Sequence, residues 1–275
     1  MSPSISVIIP NHNYAKYLET TIESVLNQSV GRLDLIIVDN GSTDDSRDVI
    51  RRYRGELTAI YQEDLGQASA RNMGIMHAKG ELISFLDADD YWEPRKLEMQ
   101  LEKLNDDYQF IYSGLRQFDS ESGLSIGSIK PKFEGDCSLA YLQFPTTAIV
   151  PAGESSVLMT QSLAARVGKF NEKLNSATGR DFFRRCSHFT KFRYVDLELV
   201  NYRIHGNNMS SNQKQMMRDT ELAYKLLFED PDWMFASDYR RSCLTKLQWS
   251  HIKTNMKIRD FYGAIKKIPG LINPK

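Results

Sequence analysis

The sequence has few cysteines, no excess of charge of either sign and no long run of apolar residues. Its three cysteines among 275 residues, Cys137, Cys186 and Cys243, lie far apart, form no CxxC pair and leave one thiol over from any disulfide scheme. Reduced thiols in a cytoplasmic protein are therefore expected. Lys plus Arg and Asp plus Glu each number 35, so the chain lacks the basic field that holds a nucleic acid polymer. We do not expect DNA or RNA as a partner.

Membrane signals are also absent from the sequence. The start has no basic leader followed by an apolar run, and no apolar stretch reaches the roughly 18 residues of a membrane helix. The expected location is the cytoplasm, with at most a peripheral attachment at the inner membrane face. A hydrophobic content of 41% is sufficient for the core of one large domain or of a principal domain with an appendage.

Short β-rich apolar runs alternate with segments of helical periodicity in the first part of the chain. The runs predict strands at Ile5–Ile9, Leu35–Asp39, Thr58–Gln62, Leu82–Leu86 and Phe110–Ser113. The segments between them predict helices near Tyr17–Gln28, Asp44–Tyr53, Gln67–His77 and Pro94–Leu104. This alternation predicts an α/β fold with a doubly wound, mostly parallel central sheet.

The pattern weakens in residues 119–153, which we interpret as long loops or an insertion. Strands are predicted again at Val157–Thr160 and Glu198–Arg203, and short helices at Gln161–Val167 and Asp181–His188. The tail from Gln213 onward is predicted to be mostly helical.

Polar clusters directly follow three of the predicted strands. They are Asn11-His12-Asn13, Asp39-Asn40-Gly41-Ser42 and Asp87-Ala88-Asp89-Asp90. Open parallel sheets bind ligands beyond the carboxyl ends of their strands. The common placement of these clusters therefore predicts one binding site at that edge.

The acidic cluster has the chemistry of a cation site. Extended geometry sends Asp87 and Asp89 to the same side of the chain, and a divalent cation relieves the repulsion between them. Mg²⁺ and Mn²⁺ take carboxylate oxygens together with substrate phosphate oxygens. The alternative is an acidic loop that caps the helix beginning near Pro94.

Two further side chains fit a nucleotide. Asp39 ends a strand and can accept a hydrogen bond from the imide N–H of uracil or thymine, whereas helix capping explains Ser42 and Asp44. The guanidinium of Arg71 is well shaped for a diphosphate, and the alternative is a surface arginine paired with an acidic neighbour.

These segments resemble the successive signatures of inverting family-2 glycosyltransferases with the GT-A fold. The matching motifs are Ser6-Val7-Ile8-Ile9-Pro10-Asn11-His12-Asn13, Val38-Asp39-Asn40-Gly41-Ser42-Thr43-Asp44, Ala70-Arg71-Asn72-x-Gly74 and Leu86-Asp87-Ala88-Asp89-Asp90. The resemblance is strong from Ile5 to about Gly114 and weaker from Val157 to Ser210.

The resemblance implies a metal-dependent inverting transfer of a sugar from a nucleoside diphosphate donor to the hydroxyl of a saccharide or lipid-linked acceptor. UDP- or dTDP-sugars are the expected donors, Mn²⁺ or Mg²⁺ the expected cofactor, and cell-surface polysaccharide synthesis the expected process. The implied GT-A domain spans residues 1–212, with a nucleotide-binding half at 1–114 and an acceptor half at 115–212. A helical extension follows at 213–275.

The resemblance also implies roles for individual residues. The nucleoside pocket and the donor-binding loop are expected to contain Pro10, Asn11, His12, Asp39, Arg71, Asp87 and Ala88. Asp89 is expected to bind the metal, with Asp87 meeting the ribose or the metal. His12 stands where the family often has Tyr, and Asn40 stands where a second Asp is usual.

The catalytic base of the family is the Asp of a Glu-Asp pair that opens a helix in the acceptor half. The matching segment here is Gly179-Arg180-Asp181, which makes Asp181 the expected base although Arg180 replaces the Glu. A neighbouring cation lowers the pKa of a carboxylate and weakens it as a base, unless Arg180 points toward another acid or toward an anionic acceptor. The alternative is that Asp181 is an ordinary residue of a helix N-terminus.

The segment Tyr202-Arg203-Ile204-His205 resembles the family's Tyr-Arg-x-His loop near the diphosphate. It implies that Arg203 contacts the donor and that His205 contacts the metal or the leaving phosphate, with a structural histidine as the alternative.

The tail from Thr254 to Lys275 mixes basic and apolar residues. It is interpreted either as an amphipathic segment at an anionic membrane or as a packed terminal helix.

Two other classes of protein stay open at this point. A nucleotidyltransferase also uses paired carboxylates and a metal, but it normally has a Gly-rich basic loop near the first strand, where this chain has Pro10-Asn11-His12-Asn13. A non-catalytic protein that binds nucleotide sugars or saccharides is the other, and Arg180 favours it.

Overall fold

A central sheet organises the computed structural model, which describes residues 3–206, 208 and 212–257. In this part of the chain the sheet has nine strands. They are β1 (Ile5–Asn11), β2 (Asp34–Asn40), β3 (Thr58–Gln62), β4 (Leu82–Phe85), β5 (Tyr91–Trp92), β6 (Phe110–Asp119), β7 (Ser125–Ile129), β8 (Leu158–Thr160) and β9 (Phe192–Ile204).

Helices connect and cover these strands. They are α1 (Ala15–Leu26), α2 (Ser46–Arg52), α3 (Gly66–His77), α4 (Lys96–Leu101), α5 (Ser138–Gln143), α6 (Gln161–Val167), α7 (Thr178–Ser187), α8 (Gln213–Leu227) and α9 (Arg240–Lys257). Within the described ranges, 3₁₀ segments lie at Gly153–Ser156 and Pro231–Tyr239.

The strand order is β3-β2-β1-β4-β8-β6-β9-β5, with β7 paired to β6. Strands β3, β2, β1 and β4 are parallel, as are β6 and β9. Strand β8 joins these two groups through antiparallel pairs with β4 and β6. The α/β fold class predicted from the sequence is confirmed, and the carboxyl ends of β1, β2 and β4 meet at one edge.

Around β1 both faces of the sheet are buried, and alternate residues of the strand point to opposite faces. On β1, Val7 and Ile9 pack in one cluster with Leu18 and Ile22 of α1. Ile8 points to the other face, where a second cluster includes residues of α3, α6 and α7. Burial on both faces explains the continuous apolar runs in these strands.

The predicted elements of the first half agree with these bounds to within two or three residues. The differences lie further along. Strand β6 continues to Asp119 and β9 begins at Phe192, so the two pair over much longer segments than their apolar cores indicated. Residues 119–153, interpreted as loops or an insertion, contain β7 and α5.

The helices after residue 212 pack onto α5 and α7. Tyr224 Oη on α8 donates to the carbonyl oxygen of Tyr141 at 2.6 Å, and the Arg184 guanidinium of α7 lies 5.0 Å from the centre of the Trp233 ring. The division into a domain at 1–212 and an extension stays a prediction.

The chain offers no membrane-spanning candidate in its described helices, since none is both long and apolar enough. The basic amphipathic tail falls almost entirely beyond residue 257, outside the described residues.

Candidate active site

A cavity of about 1090 Å³ opens at the carboxyl ends of β1, β2 and β4, the edge where open α/β sheets bind ligands. The predicted site residues in its wall are Pro10, Asn11, His12, Arg71, Asp87, Ala88 and Asp89. The predicted residues that do not line it are Asp39, Asp181, Arg203 and His205. The sequence-based site is therefore divided between side chains that face the cavity and side chains that lie behind its wall.

Asn11 ties the ends of β1 and β2 together at the edge of the cavity. Its Nδ2 donates to Asp39 Oδ1 and to Ser42 Oγ, both at 3.1 Å. Asp39 is fully buried, and its Oδ2 accepts a hydrogen bond from Arg47 Nε at 3.0 Å. The carboxylate predicted to read a pyrimidine imide is thus held by two protein donors. This placement supports a role in fixing the strand ends and does not support direct base recognition.

His12 remains in the wall as the predicted ring for stacking on a base. Its Nδ1 lies 2.7 Å from the carbonyl oxygen of Asn40, and because a carbonyl only accepts, Nδ1 carries the proton. Asn40 Nδ2 donates to Asp64 Oδ1 at 2.7 Å. A carboxylate at residue 40 could not make that bond. The replacement of the family's second Asp by Asn40 therefore holds the loop after β3 against the turn after β2.

Gly41 permits this close approach of the two loops. Its φ is +71°, and a Cβ there would lie 2.6 Å from the backbone nitrogen of Asp64. A larger residue at this position would push the Asp64 loop out of the cavity wall.

The acidic loop after β4 is held by its backbone. Thr21 Oγ1 on α1 lies 2.9 Å from the carbonyl oxygen of Ala88 and 2.8 Å from that of Asp90. The fully buried Asp90 carboxylate accepts from Ser155 Oγ at 2.9 Å and from the Arg203 backbone N–H at 3.1 Å. Burial, reinforced by the neighbouring aspartates, raises the pKa of Asp90 well above its usual range. Asp90 supports the loop from behind.

Asp89 and His205 form a contact at the end of this loop. His205 Nε2 lies 2.9 Å from Asp89 Oδ2. Burial first, and then the charge of Asp87, raise the pKa of Asp89, while the hydrogen bond from His205 opposes the shift. Arg203 lies behind Asp89: its Nε donates to the Asp89 carbonyl oxygen at 2.8 Å, and its guanidinium stacks on Tyr17 at 4.5 Å. The contact of Arg203 with the donor stays a prediction.

Arg71 links two carboxylates across the floor of the cavity. Its Nη2 donates to Asp87 Oδ1 at 2.7 Å, and its Nη1 lies 3.0 Å from Glu154 Oε1. Nη1 also contacts Gln67 Oε1 at 2.8 Å and Thr178 Oγ1 at 3.2 Å. Because the side chain is only 1% exposed and both amino groups have protein partners, Arg71 positions the acidic groups that face the cavity.

Asp181 does not reach the cavity. It lies in the first turn of α7 but is 2% exposed. Its Oδ1 accepts from Arg184 Nη2 at 2.7 Å and its Oδ2 from Arg185 Nε at 3.0 Å. Thr178, Gly179 and Arg180 are the residues of this turn that line the cavity, and Arg180 Nη1 donates to the Pro145 carbonyl oxygen at 3.0 Å. A carboxylate locked between two guanidinium groups behind the wall does not fit the role of a general base.

The donor atoms near Asp89 fit a divalent cation that also binds a substrate. Asp87 and Asp89 offer carboxylate oxygens, and His205 Nε2 lies beside Asp89. Two close acids and the raised pKa of Asp89 indicate a site that favours a positive ion. Among the described residues, no group of three or more His, Cys, Asp or Glu side chains is arranged to hold a metal ion by itself. Such a partial set suits Mg²⁺ or Mn²⁺, whose remaining ligands are water and phosphate oxygens.

Sequence reasoning missed Glu154. This residue lies in the 3₁₀ segment Gly153–Ser156 and lines the cavity. Burial raises the pKa of Glu154 although the Arg71 charge opposes the shift. The local sequence Gly153-Glu154-Ser155-Ser156 has neither a periodic pattern nor a motif, so only spatial contacts reveal its position.

Comparisons with known proteins agree with this architecture. The family model for Glycosyl transferase family 2 matches residues 6–164, more than half of the chain, and the chain belongs to this family. The putative teichuronic acid biosynthesis glycosyltransferase TuaG of Bacillus subtilis is 29% identical over 254 residues, which are 89% of this chain and 97% of that relative.

Two solved structures share the fold. S. aureus TarS 1-349 in complex with UDP-GlcNAc is similar with a TM-score of 0.68 over 97% of this chain and 91% of that chain, at 14% identity. The mannosyltransferase PcManGT from Pyrobaculum calidifontis, in complex with GDP-Man and Mn²⁺, has a TM-score of 0.67 over 97% of this chain and 74% of that chain, at 16% identity. They confirm the GT-A architecture expected from the motifs.

Proposed function

We propose that this glycosyltransferase transfers a sugar from a UDP- or dTDP-sugar to the hydroxyl of a saccharide or lipid-linked acceptor with inversion at the anomeric carbon. The observation that supports it most is that Asp87, Asp89 and Arg71 line one cavity, with Arg71 paired to Asp87. The wall of the same cavity contains His12, the ring expected to stack on the base. TarS, which shares the fold, was crystallised with UDP-GlcNAc, which favours a uridine nucleotide.

The two sides of the cavity suit the two substrates. On the donor side, His12 offers a ring for the base, and Asp87 and Asp89 lie where the diphosphate follows. Asp87, Asp89 and His205 would hold Mn²⁺ or Mg²⁺, and PcManGT, which shares the fold, contains Mn²⁺. When bound there, the cation supplies positive charge against the negative charge that builds on the leaving diphosphate.

The acceptor side is formed by the first turn of α7 and by residues of α8 and α9, including Gln215, Met216 and Ser250. An acceptor held on this side approaches the anomeric carbon from the face opposite the diphosphate, and a single displacement from that face inverts the configuration. Arg180 lines this side, which suits an acceptor that carries negative charge.

The relative TuaG is named for teichuronic acid biosynthesis, which supports the assignment of this chain to cell-surface polysaccharide synthesis. A packed terminal helix is one interpretation of the tail sequence, and the other is contact with a membrane that carries a lipid-linked acceptor. Equal recovery of full-length and tail-deleted protein with anionic liposomes would contradict it.

Release of nucleoside diphosphate tests the function directly. UDP-GlcNAc, UDP-glucose, dTDP-glucose and GDP-mannose are each incubated with the protein and Mn²⁺, Mg²⁺ or EDTA. We expect metal-dependent release from a uridine or thymidine donor and a loss of at least about 100-fold in Asp89→Ala, because the charge on the diphosphate is no longer offset. Asp106→Ala, which removes an exposed aspartate of the α4–β6 connection, is the matched control.

The rival class predicts a different result. A non-catalytic nucleotide-sugar-binding protein binds UDP in calorimetry but releases no nucleoside diphosphate from any donor. Release that is insensitive to EDTA would contradict the metal site instead.

A further inference from the structure

Glu154 lies in the cavity wall against the first turn of α7. We propose that Glu154, and not Asp181, takes the proton from the acceptor hydroxyl; this inference rests on the proposed function. No sequence motif marks Glu154, and its assignment comes from the packing of the Gly153–Ser156 segment against the first turn of α7.

The cavity offers few carboxylates for this role. Within the described part of the chain, the acidic residues in its wall are Asp64, Asp87, Asp89 and Glu154. Asp64 lies at the nucleoside end, bound to Asn40, and the two aspartates after β4 belong to the donor side. Glu154 is the acid that lies beside α7, where the acceptor side begins.

Gly179 makes room for the Glu154 carboxyl group. A Cβ at residue 179 would lie 2.5 Å from Glu154 Cδ and 2.6 Å from its Oε2, closer than any side chain permits. The first turn of α7 therefore packs directly on the carboxyl group because residue 179 has no side chain. In effect, a carboxylate carried by the Gly153–Ser156 segment fills the space that a side chain on this turn would occupy.

The two oxygens of Glu154 are in different surroundings. Oε1 accepts from Thr178 Oγ1 at 3.2 Å and pairs with Arg71 Nη1 at 3.0 Å. These contacts stabilise the ionised form and fix the carboxyl plane. Oε2 takes part in neither contact, and both oxygens lie against Gly179, at 2.6 Å (Oε2) and 2.7 Å (Oε1) from the place of a Cβ there. The side chain is 11% exposed, so it contacts the cavity but is largely shielded from bulk water.

The Gly153–Ser156 segment is anchored to the donor side. Ser155 Oγ accepts from the Asp87 backbone N–H at 3.1 Å and donates to Asp90, and Trp92 Nε1 donates to the Ser155 carbonyl oxygen at 2.7 Å. Asp87 and Glu154 also bind one guanidinium group, that of Arg71. Glu154 is thereby held at a fixed position relative to the donor-binding loop after β4. Catalysis by positioning requires such a fixed geometry.

The chemical step balances with Glu154 as acceptor of the proton. The acceptor oxygen forms a bond to the anomeric carbon while its proton passes to Glu154. The bond between that carbon and the diphosphate oxygen breaks, and its electron pair leaves with the nucleoside diphosphate. No oxidant or further reactant is needed, and Glu154 returns its proton to solvent after the product leaves.

The first test distinguishes a role of Glu154 as the catalytic base from a role in holding Arg71 in place. Glu154→Gln keeps the size of the side chain and its acceptor oxygen but removes the charge. With the panel donor that the wild-type protein hydrolyses fastest, and with water as acceptor, we expect turnover to fall at least 100-fold, as for removal of a general base. Affinity for UDP with Mn²⁺, measured by calorimetry, should stay within threefold.

Moving the carboxylate provides a positive test. Glu154→Ala empties the space beside residue 179, and adding Gly179→Asp places a carboxylate there from α7 instead. We expect the double variant to turn over at least tenfold faster than Glu154→Ala. A folded double variant that is no faster than Glu154→Ala would count against the proposal. If Glu154→Gln does not fold, the comparison of Glu154→Ala with the double variant tests the proposal by itself.

Different failures have different meanings. Wild-type protein that releases no nucleoside diphosphate from any donor refutes the proposed function itself. An active wild type with Glu154→Gln less than tenfold slower refutes only the role of Glu154. A parallel loss of UDP affinity in Glu154→Gln would show that Glu154 merely orients Arg71. An equal loss in folded Asp181→Asn, with Glu154→Gln active, would return the role to Asp181.

Discussion

Replacing Arg71 by methionine tests the network that holds the two sides of the cavity together. The substitution keeps an apolar stem in contact with Phe170, over which the guanidinium lies at 5.7 Å. It leaves Glu154 without its cationic partner in a site where only 11% of the glutamate side chain is exposed. Removing one partner of a buried pair costs about 3–5 kcal/mol.

Two features of the structure place the expected loss at the lower end of that range. Asp87, the second partner, is 32% exposed, so water takes over much of its interaction, as at other accessible ion pairs worth about 0–1 kcal/mol. Arg71 Nε is buried without a hydrogen-bond partner, and removing it relieves a cost of about 1–3 kcal/mol. We therefore expect Arg71→Met to lower the free energy of unfolding by about 3 kcal/mol.

The assay is urea unfolding at neutral pH without metal or nucleotide, applied to a double-mutant cycle with Glu154→Gln. If the cost arises from the unpaired glutamate, neutralising it in the Arg71→Met background recovers about 1–2 kcal/mol, within the usual range for contacting residues. A loss below about 1 kcal/mol for Arg71→Met, or strict additivity of the two substitutions, would refute the view that this ion pair organises the cavity floor.

Two further predictions concern regions outside the site. Gly74→Ala places a Cβ 2.3 Å from Ile8 Cγ2, and the overpacking should lower the free energy of unfolding by about 1–3 kcal/mol. An unchanged midpoint of thermal unfolding would show that α3 and β1 can move apart without loss of stability. Glu98 bonds with Arg95 and Ser29, which lowers its pKa to about 2. Its contribution to stability is present above the ordinary glutamate pKa and is lost as the pH falls through the lowered value. Carboxyl chemical shifts should show this midpoint, and Arg95→Ala should raise it; an unshifted midpoint in the wild type would contradict the contact.

Much of the donor half could be predicted from the sequence because its signals are local. Apolar runs between polar turns are sufficient to locate β1 to β4. Asp87 and Asp89 both line the cavity, but β4 ends at Phe85, and a turn with a hydrogen bond from the Asp90 N–H to the Asp87 carbonyl oxygen brings them there, not extended geometry. The carboxyl ends of parallel strands meet at one edge whatever the details of packing. That rule brought His12 and the acidic loop to one cavity.

The acceptor half could not be predicted in the same way. The motif match pointed to Asp181, but the match records only sequence position. Whether that carboxylate faces the cavity depends on the rotation of α7, which Arg185 helps to fix by donating to the carbonyl oxygens of Val167 and Lys169 outside the helix. In this rotation Asp181 lies behind the wall. The same limit applies to Asp39, whose hydrogen bonds with Asn11 and Arg47 cannot be read from a strand pattern.

The sequence by itself determined the α/β class, the order of the nucleotide-binding elements and the family, because alternation and short motifs are encoded by neighbouring residues. Only the tertiary structure decided which carboxylates face the cavity. Glu154 and Gly179 are far apart in the chain, and their contact arises from the packing of a 3₁₀ segment on a helix. Since such a contact depends on side-chain volume at both positions, it leaves no periodic signal in either segment.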